Sequence, residues 1–501
     1  MISRLLPGAL TALAVAAIAS VLAVTQGCGG SDADPGVALT LYCAAGMKPP
    51  VEAVAAEYRA RYDVVTQIQY GGSGTLLSSL QIASTGDLYL AADETYLQRA
   101  RDMGLVAEML PVARMRPVIA VANGNPKNIL TIDDLLREDV RVALANPDAA
   151  SVGKNAKRIL SATGHWAALS HHARVFKPTV NDVANDVRMG AVDASVIWDA
   201  TANQYDELAA IRVPEFDADA MQITIGVLRT SEHPAAALRF ARFLAGANAG
   251  LSEFARQGYE PVAGDPWVEE PELLVFSGAM LRPGLEGVVS AFEQREGVTI
   301  NTVYNGCGIL VAQMASGATP AAYVSCDVSF MEQVADRFTP ATALTENDIV
   351  ILVKKGNPMS VAALSDLART DLQVGLAHPQ NSALGALTKR MLAGAGLWDA
   401  VARNRKLDAA TGDFLVNQLR AGSLDAVVVY RSNAMSNPAN LAEHLDIVDV
   451  DSPGSVAVQP MGIALDAKYP LMMRRFRDAV LSSASRDQFL SYGFRWIAET
   501  Q

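Results

Sequence analysis

The chain has 501 residues, enough for roughly three or four domains. Half of it is apolar and 19% is charged, and 53 acidic against 41 basic residues give a formal charge of −12. Packed globular domains suit these numbers and disorder does not; without a block of five basic residues, nucleic-acid binding through charge is disfavoured too.

Arg4 precedes an apolar run from Leu5 to Val24, broken by Pro7, Gly8, Thr11 and Ser20. A basic start, an apolar middle and a small-residue exit describe an export signal over residues 1–27. The exit, VTQGC, resembles a bacterial lipobox, with Thr25 where Leu is usual. Lipidation of Cys28 and a flexible tether over residues 28–37 are therefore expected, placing the rest in the periplasm or cell envelope. The alternatives are an ordinary cleaved signal or an uncleaved anchor helix. Beyond Cys28 stand Cys43, Cys307 and Cys326, an odd number that cannot all pair within one chain. There is no CxxC and no Cys/His cluster, so no structural zinc site and no cofactor are expected.

Next come short apolar strands alternating with helical patterns. ALTLYCAA is strand-like, PPVEAVAAEYRARY has helical spacing, and VVTQIQY is strand-like again. GGSGTLLSSLQIAS opens with glycines and continues as a helix. LYLAAD, PVIAVAN, VRVALAN and ASVIWDA add strands with helices between them. The alternation predicts parallel α/β layers with right-handed crossovers.

The pattern then returns. EAVAAEYRARYDVVTQIQYGGSG from Glu52 aligns with EGVVSAFEQREGVTINTVYNGCG from Glu286, so Tyr70 matches Tyr304 at an offset of 234. The same offset carries Asp93 onto Asp327. An offset of 232 then relates the GNP at Gly124 to that at Gly356, Gly153 to Gly385, Trp166 to Trp398 and Trp198 to Tyr430. One register held across separated blocks means a tandem duplication, with repeats at 38–265 and 272–501 joined near EPVAGDPWVEEPE.

AAGM after the first strand, GGSGTL before a helix, a strand ending in Ala-Asp, the GNP turn, ANPDAASVGKNAKRIL and VRMGAVDASVIWDA follow in one order. Together they resemble the periplasmic molybdate-binding proteins, a branch of the type II periplasmic solute-binding fold. The resemblance implies two α/β lobes per repeat, closing by a hinge on a small oxyanion for an ABC importer. In that family a Ser of the first loop meets the ligand. Gly46 and Ala279 stand there, leaving backbone N–H groups. Ser73 matches the hydroxyl at the next helix start, and Cys307 takes its place in the second repeat. Val152 with Leu384, and Val180, match contacts made by backbone, while Trp198 and Tyr430 fall on the family's pocket Tyr.

These positions make chemical sense for a tetrahedral dianion, which offers only acceptors and needs donors around it. Helix starts supply free N–H groups and a favourable dipole. Equally, GGSG alone is a common turn and cap, and Trp198 alone a common core aromatic. A thiol at Cys307 donates weakly and tends to thiolate, which would repel an oxyanion and attract a soft metal. Cys326 is either close enough to Cys307 to bridge or a separate buried residue. Asp199 would oppose a dianion if it faced the cleft, although strand alternation turns it away.

A serine hydrolase would want G-x-S-x-G, whereas Gly71 to Thr75 reads GGSGT, so no enzyme is expected. The competing readings are an envelope sensor or scaffold with degenerate sites, and a metal-cation binder through the second repeat.

Overall fold

The computed structural model describes residues 37–83, 85–218 and 220–499; the export run, the tether and Cys28 lie outside the described residues. The first repeat contains strands β1 (Ala38–Ala44), β2 (Val65–Gly71), β3 (Leu88–Ala91), β4 (Val106–Met115), β5 (Pro117–Ala122), β6 (Val142–Ala145), β7 (Val175–Lys177), β8 (Ala194–Trp198), β9 (Leu208–Ile211) and β10 (Met221–Leu228). After β11 (Glu260–Pro261) the second repeat begins. It holds β12 (Glu272–Gly278), β13 (Thr299–Asn305), β14 (Ala322–Val324), β15 (Thr342–Lys354), β16 (Val374–Ala377), β17 (Arg405–Ala409), β18 (Ala426–Tyr430), β19 (Leu445–Asp449), β20 (Val456–Ile463) and β21 (Arg495–Trp496).

Each repeat folds as two α/β lobes. In the first, one lobe is the sheet β11-β4-β10-β3-β1-β2 and the other is β7-β6-β8-β5-β9. The second repeat keeps this plan with its sheets joined through β15. The residues Thr342–Asp348 of β15 pair with β20, and Ile349–Lys354 pair with β18 and β19. In the first repeat the same path is broken at Arg116, between β4 and β5.

The sheets are mixed, not purely parallel as the strand–helix alternation predicts. β10 runs antiparallel to β3 and β4, and β5 runs antiparallel to β8 and β9. β5 follows β4 through Arg116 alone, and β10 follows β9 of the other lobe with only the four-residue helix Pro214–Asp217 between, so no full crossover helix turns either strand round before it pairs.

Parallel pairing sets up the site. β1 aligns with β2 and β3, with Cys43 opposite both Tyr70 and Leu90. The chain leaves these three strands at one edge, which puts the segments after them beside each other. The GNP motif proves structural: Gly124 and Asn125, and likewise Gly356 and Asn357, adopt positive φ. Asn125 then bonds the backbone of Ile129 from both ends of its amide, as Asn357 does with Val361.

The main apolar core of the first repeat reaches Trp267, and that of the second starts at Leu273. Between them lies a charged junction. Glu296, 2% exposed, takes both oxygens to Arg475, at 2.5 and 2.9 Å, while Arg242 of the first repeat donates to its carbonyl. Arg295 forks onto Glu108 across the junction at 2.8 and 2.6 Å. Asp265 accepts the N–H groups of Leu471 and Met472 at a helix start in the second repeat. Among the described residues no helix is long and apolar enough to cross a membrane.

Candidate functional site

The interlobe cleft of the first repeat closes on a cavity of about 20 Å³ lined by Gly46, Ser73, Val152, Val180 and Trp198 among others. On a scale where about 10–15 Å³ holds one water, that is room for a compact ion and not for a sugar or a peptide. Each residue arrives at an element boundary. Gly46 lies in the turn Ala45–Met47, Ser73 begins the helix Ser73–Ile82, and Val152 is second in Ser151–Ala162. Val180 begins Val180–Arg188 and Trp198 ends β8. Gly72 and Ala150 put no side-chain cap on the helix starts they precede. No Asp, Glu, Lys or Arg lines the cavity, so its polarity comes from backbone and neutral side chains.

Ser73 Oγ accepts the Ala92 N–H at 3.2 Å, which occupies an oxygen lone pair and leaves the hydroxyl proton to donate elsewhere. The Gly46 carbonyl is held by Tyr259 Oη at 2.5 Å and Gln204 Nε2 at 2.8 Å, fixing the orientation of the turn. The lobes meet through glycine: a Cβ on Gly72 would collide with the carbonyls of Ala149 and Pro178 across the cleft. Gly74 donates its N–H to the Ala149 carbonyl at 2.9 Å. Asp93, at the end of the β3 segment, completes the contact by accepting from Asn155 Nδ2 at 3.0 Å, with Lys154 Nζ at 3.7 Å.

Asp199 does not face the cleft. It begins the helix Asp199–Ala202, and its Oδ1 accepts the N–H groups of Arg116 and Ala200 at 3.0 and 2.8 Å. The carboxylate is spent on the lobe crossover, for a reason different from strand alternation.

The second cleft repeats this frame with other chemistry. Ala279 lies in the turn Ala279–Leu281, Cys307 begins Cys307–Ala315, Leu384 is second in Ala383–Gly394, and Tyr430 ends β18. The Cys307 and Cys326 sulfurs stand 2.8 Å apart, so the sequence alternative of two separate cysteines falls. Cys307 Sγ accepts the Cys326 N–H at 3.1 Å, the same bond that Ser73 makes with Ala92. A Cβ on Gly278 would run into Cys326 Sγ, and glycine there makes room for the sulfur. Burial opposes ionisation of Cys307, but hydrogen bonds from the Cys326 thiol and N–H outweigh it and hold the thiol below its ordinary range. Cys326 is pushed up because it donates to Cys307 and is itself buried. Tyr430 Oη is buried with no hydrogen-bond partner.

Residues 39–260 and 273–495 each match the family of bacterial extracellular solute-binding proteins. The chain belongs to the bacterial extracellular solute-binding proteins. A binding protein of Haemophilus influenzae is 26% identical over 223 residues, covering 44% of this chain and 91% of that protein. The molybdate-binding protein ModA of Mycobacterium tuberculosis is 27% identical over 206 residues, 40% of this chain and 77% of that protein. Among solved structures, the periplasmic molybdate-binding protein of Azotobacter vinelandii matches with a TM-score of 0.39 at 15% identity, over 44% of this chain and 98% of its own. The sulfate-binding protein SubI of Mycobacterium tuberculosis matches with a TM-score of 0.41 at 20% identity, over 45% of this chain and 88% of its own.

As a solute-binding protein with two copies of the fold, the chain has features that its motifs do not mark. Thr201 is wholly buried, its hydroxyl has no partner, and Oγ1 lies 3.1 Å from where a Cβ on Gly46 would be. The Asp93–Asn155 contact is equally unmarked, although Asp93 and Asp327 stand out as a repeated pair. In the second repeat Arg390 lies 3.6 Å from Asp327, so both copies tie the same Asp to the facing lobe.

Proposed function

We propose that this solute-binding protein captures a small tetrahedral oxyanion, molybdate or tungstate, in its first cleft and delivers it to the membrane subunits of an ABC importer. The observation that carries this reading is the lining of the first cavity, where helix starts and the Ser73 hydroxyl converge without a carboxylate among the lining side chains. A dianion there meets neutral donors and helix dipoles, and no carboxylate in the lining repels it. Gly46, Val152 and Val180 contribute backbone N–H groups, and Trp198 contributes its indole N–H. Thr201 stands in for the hydroxyl that Gly46 lacks. The sequence relationship to ModA of Mycobacterium tuberculosis, named for molybdate, supports the choice of anion. The protein works in the periplasm or cell envelope, held to the membrane by a lipid on Cys28, and carries out no catalysis.

Thermal unfolding of residues 29–501 with molybdate, tungstate, sulfate and phosphate tests the reading. A ligand at a hundred times its Kd stabilises the folded state by about 2.7 kcal/mol. A shift with molybdate and tungstate that is lost in Ser73→Ala supports it. No shift with any of the four anions overturns it.

A further inference from the structure

We infer that Cys307 and Cys326 are an oxidation site that closes to a disulfide outside the cytoplasm and withdraws the second cleft from oxyanion capture. The two sulfurs are already 2.8 Å apart, and a bond at about 2.0 Å needs under an ångström of approach. Gly278 leaves the space in which Cys326 Sγ sits. Solute-binding proteins of this family act outside the cytoplasm, where disulfides form and persist. The third described cysteine, Cys43, is buried in β1, where burial pushes its thiol up and keeps it inert.

The chemistry is thiol–disulfide exchange with an external disulfide, R–S–S–R. Both cysteines are buried, but Cys326 as a residue keeps 5% of its surface exposed and Cys307 keeps none, so an external disulfide reaches Cys326 first. Cys326 passes its thiol proton to the Cys307 sulfur 2.8 Å away as it attacks the external disulfide, forming a mixed disulfide and expelling one R–S⁻. Cys307, whose thiolate is favoured by the Cys326 N–H, attacks the Cys326 sulfur and expels the second R–S⁻. The two thiol protons pass to the two leaving thiolates. Two cysteines lose two electrons in total, and one external disulfide becomes two thiols.

Ser73 in the first cleft keeps a proton to donate, whereas a disulfide sulfur at Cys307 has none. Neither Ala279 nor Gly278 brings a replacement hydroxyl to that helix start, and Tyr430 Oη, at the end of β18, does not restore the donor lost there. The oxidised chain therefore holds one oxyanion and not two, a consequence that rests on the function proposed above, while the disulfide does not.

The test is peptide mapping of the exported chain, isolated without reductant and denatured in N-ethylmaleimide. The expected result is one linked species containing Cys307 and Cys326, with both taking the label only after reduction. Label on both cysteines before reduction overturns the disulfide. Calorimetric titration of the same oxidised sample with molybdate is expected to give one ion per chain. Two ions per chain with the disulfide intact overturns withdrawal of the second cleft. No binding with the disulfide intact defeats the molybdate reading and leaves the oxidation site standing.

Discussion

Asp93 and Asn155 face each other from opposite lobes and meet at 3.0 Å, beside a cavity in which neither takes part. Asp93 is also spent locally, capping a helix through the Thr95 N–H at 2.9 Å. Asn155 is the cleaner handle on lobe closure, because the other groups its amide meets, the Ser151 carbonyl and the Arg158 guanidinium, lie on its own helix. Asn155→Ala leaves a nearly buried carboxylate with Lys154 at 3.7 Å as its cross-lobe partner. Loss of a hydrogen bond to a charged group costs about 1.5–3 kcal/mol, so molybdate affinity should fall at least tenfold. Titration calorimetry reads the affinity, and small-angle scattering should show a more open ensemble.

Ser73 and Thr201 are distinguishable by what their removal does to the empty protein. Thr201→Val replaces a buried hydroxyl without a partner by a methyl of similar shape, a change that is neutral or stabilising. Its melting temperature without ligand should hold or rise while affinity for molybdate falls several-fold. Ser73→Ala removes the acceptor of the Ala92 N–H, so it should lower both. Unchanged affinity in Thr201→Val would remove Thr201 from the site.

At the junction between repeats, Glu296→Ala strands Arg475, whose side chain is 15% exposed, without its forked partner. Breaking a buried pair from one side costs about 3–5 kcal/mol. Urea unfolding should show that loss. Ligand affinity should change little, since the junction and the first cavity share no residue named for either.

Asp193 gives a pH signature. The Arg141 guanidinium, with help from the Arg141 N–H, holds its carboxyl below the usual range. A depressed folded value means this stability is present above the unfolded value near 3.9 and is lost as pH falls through the folded one. Asp193→Asn should therefore be less stable at neutral pH by about 1.5 kcal/mol. The gap should begin to narrow below about pH 4 and close once the pH is under the folded value, and melting curves from pH 7 to pH 2 check this.

Much of the architecture was legible before any coordinates. β3, β5, β6 and β8 lie where apolar runs of strand length stand in the sequence, because burial on both faces leaves an unbroken apolar signature, and the edge strand β2 shows instead as an alternation of exposed and half-buried residues. Asp199 was not legible, since the same letters WDA continue a strand or begin a helix depending on what the carboxylate meets. It meets the Arg116 N–H, 83 residues away in the chain. Thr201 was hidden for a similar reason: a threonine in a four-residue helix carries no signal until Gly46 is packed beside it.

The sequence by itself determined the duplication, the succession of strands and helices, and the substitutions of Gly46, Ala279 and Cys307 at the positions the family resemblance marks. These are local or repeating features, carried by spacing along the chain. Only the tertiary structure decided that Cys307 and Cys326 face each other, that Asp93 reaches Asn155, and that β5 and β10 run antiparallel. Those facts depend on strand order and lobe closure, which bring together residues whose separation along the chain says nothing of their distance in space.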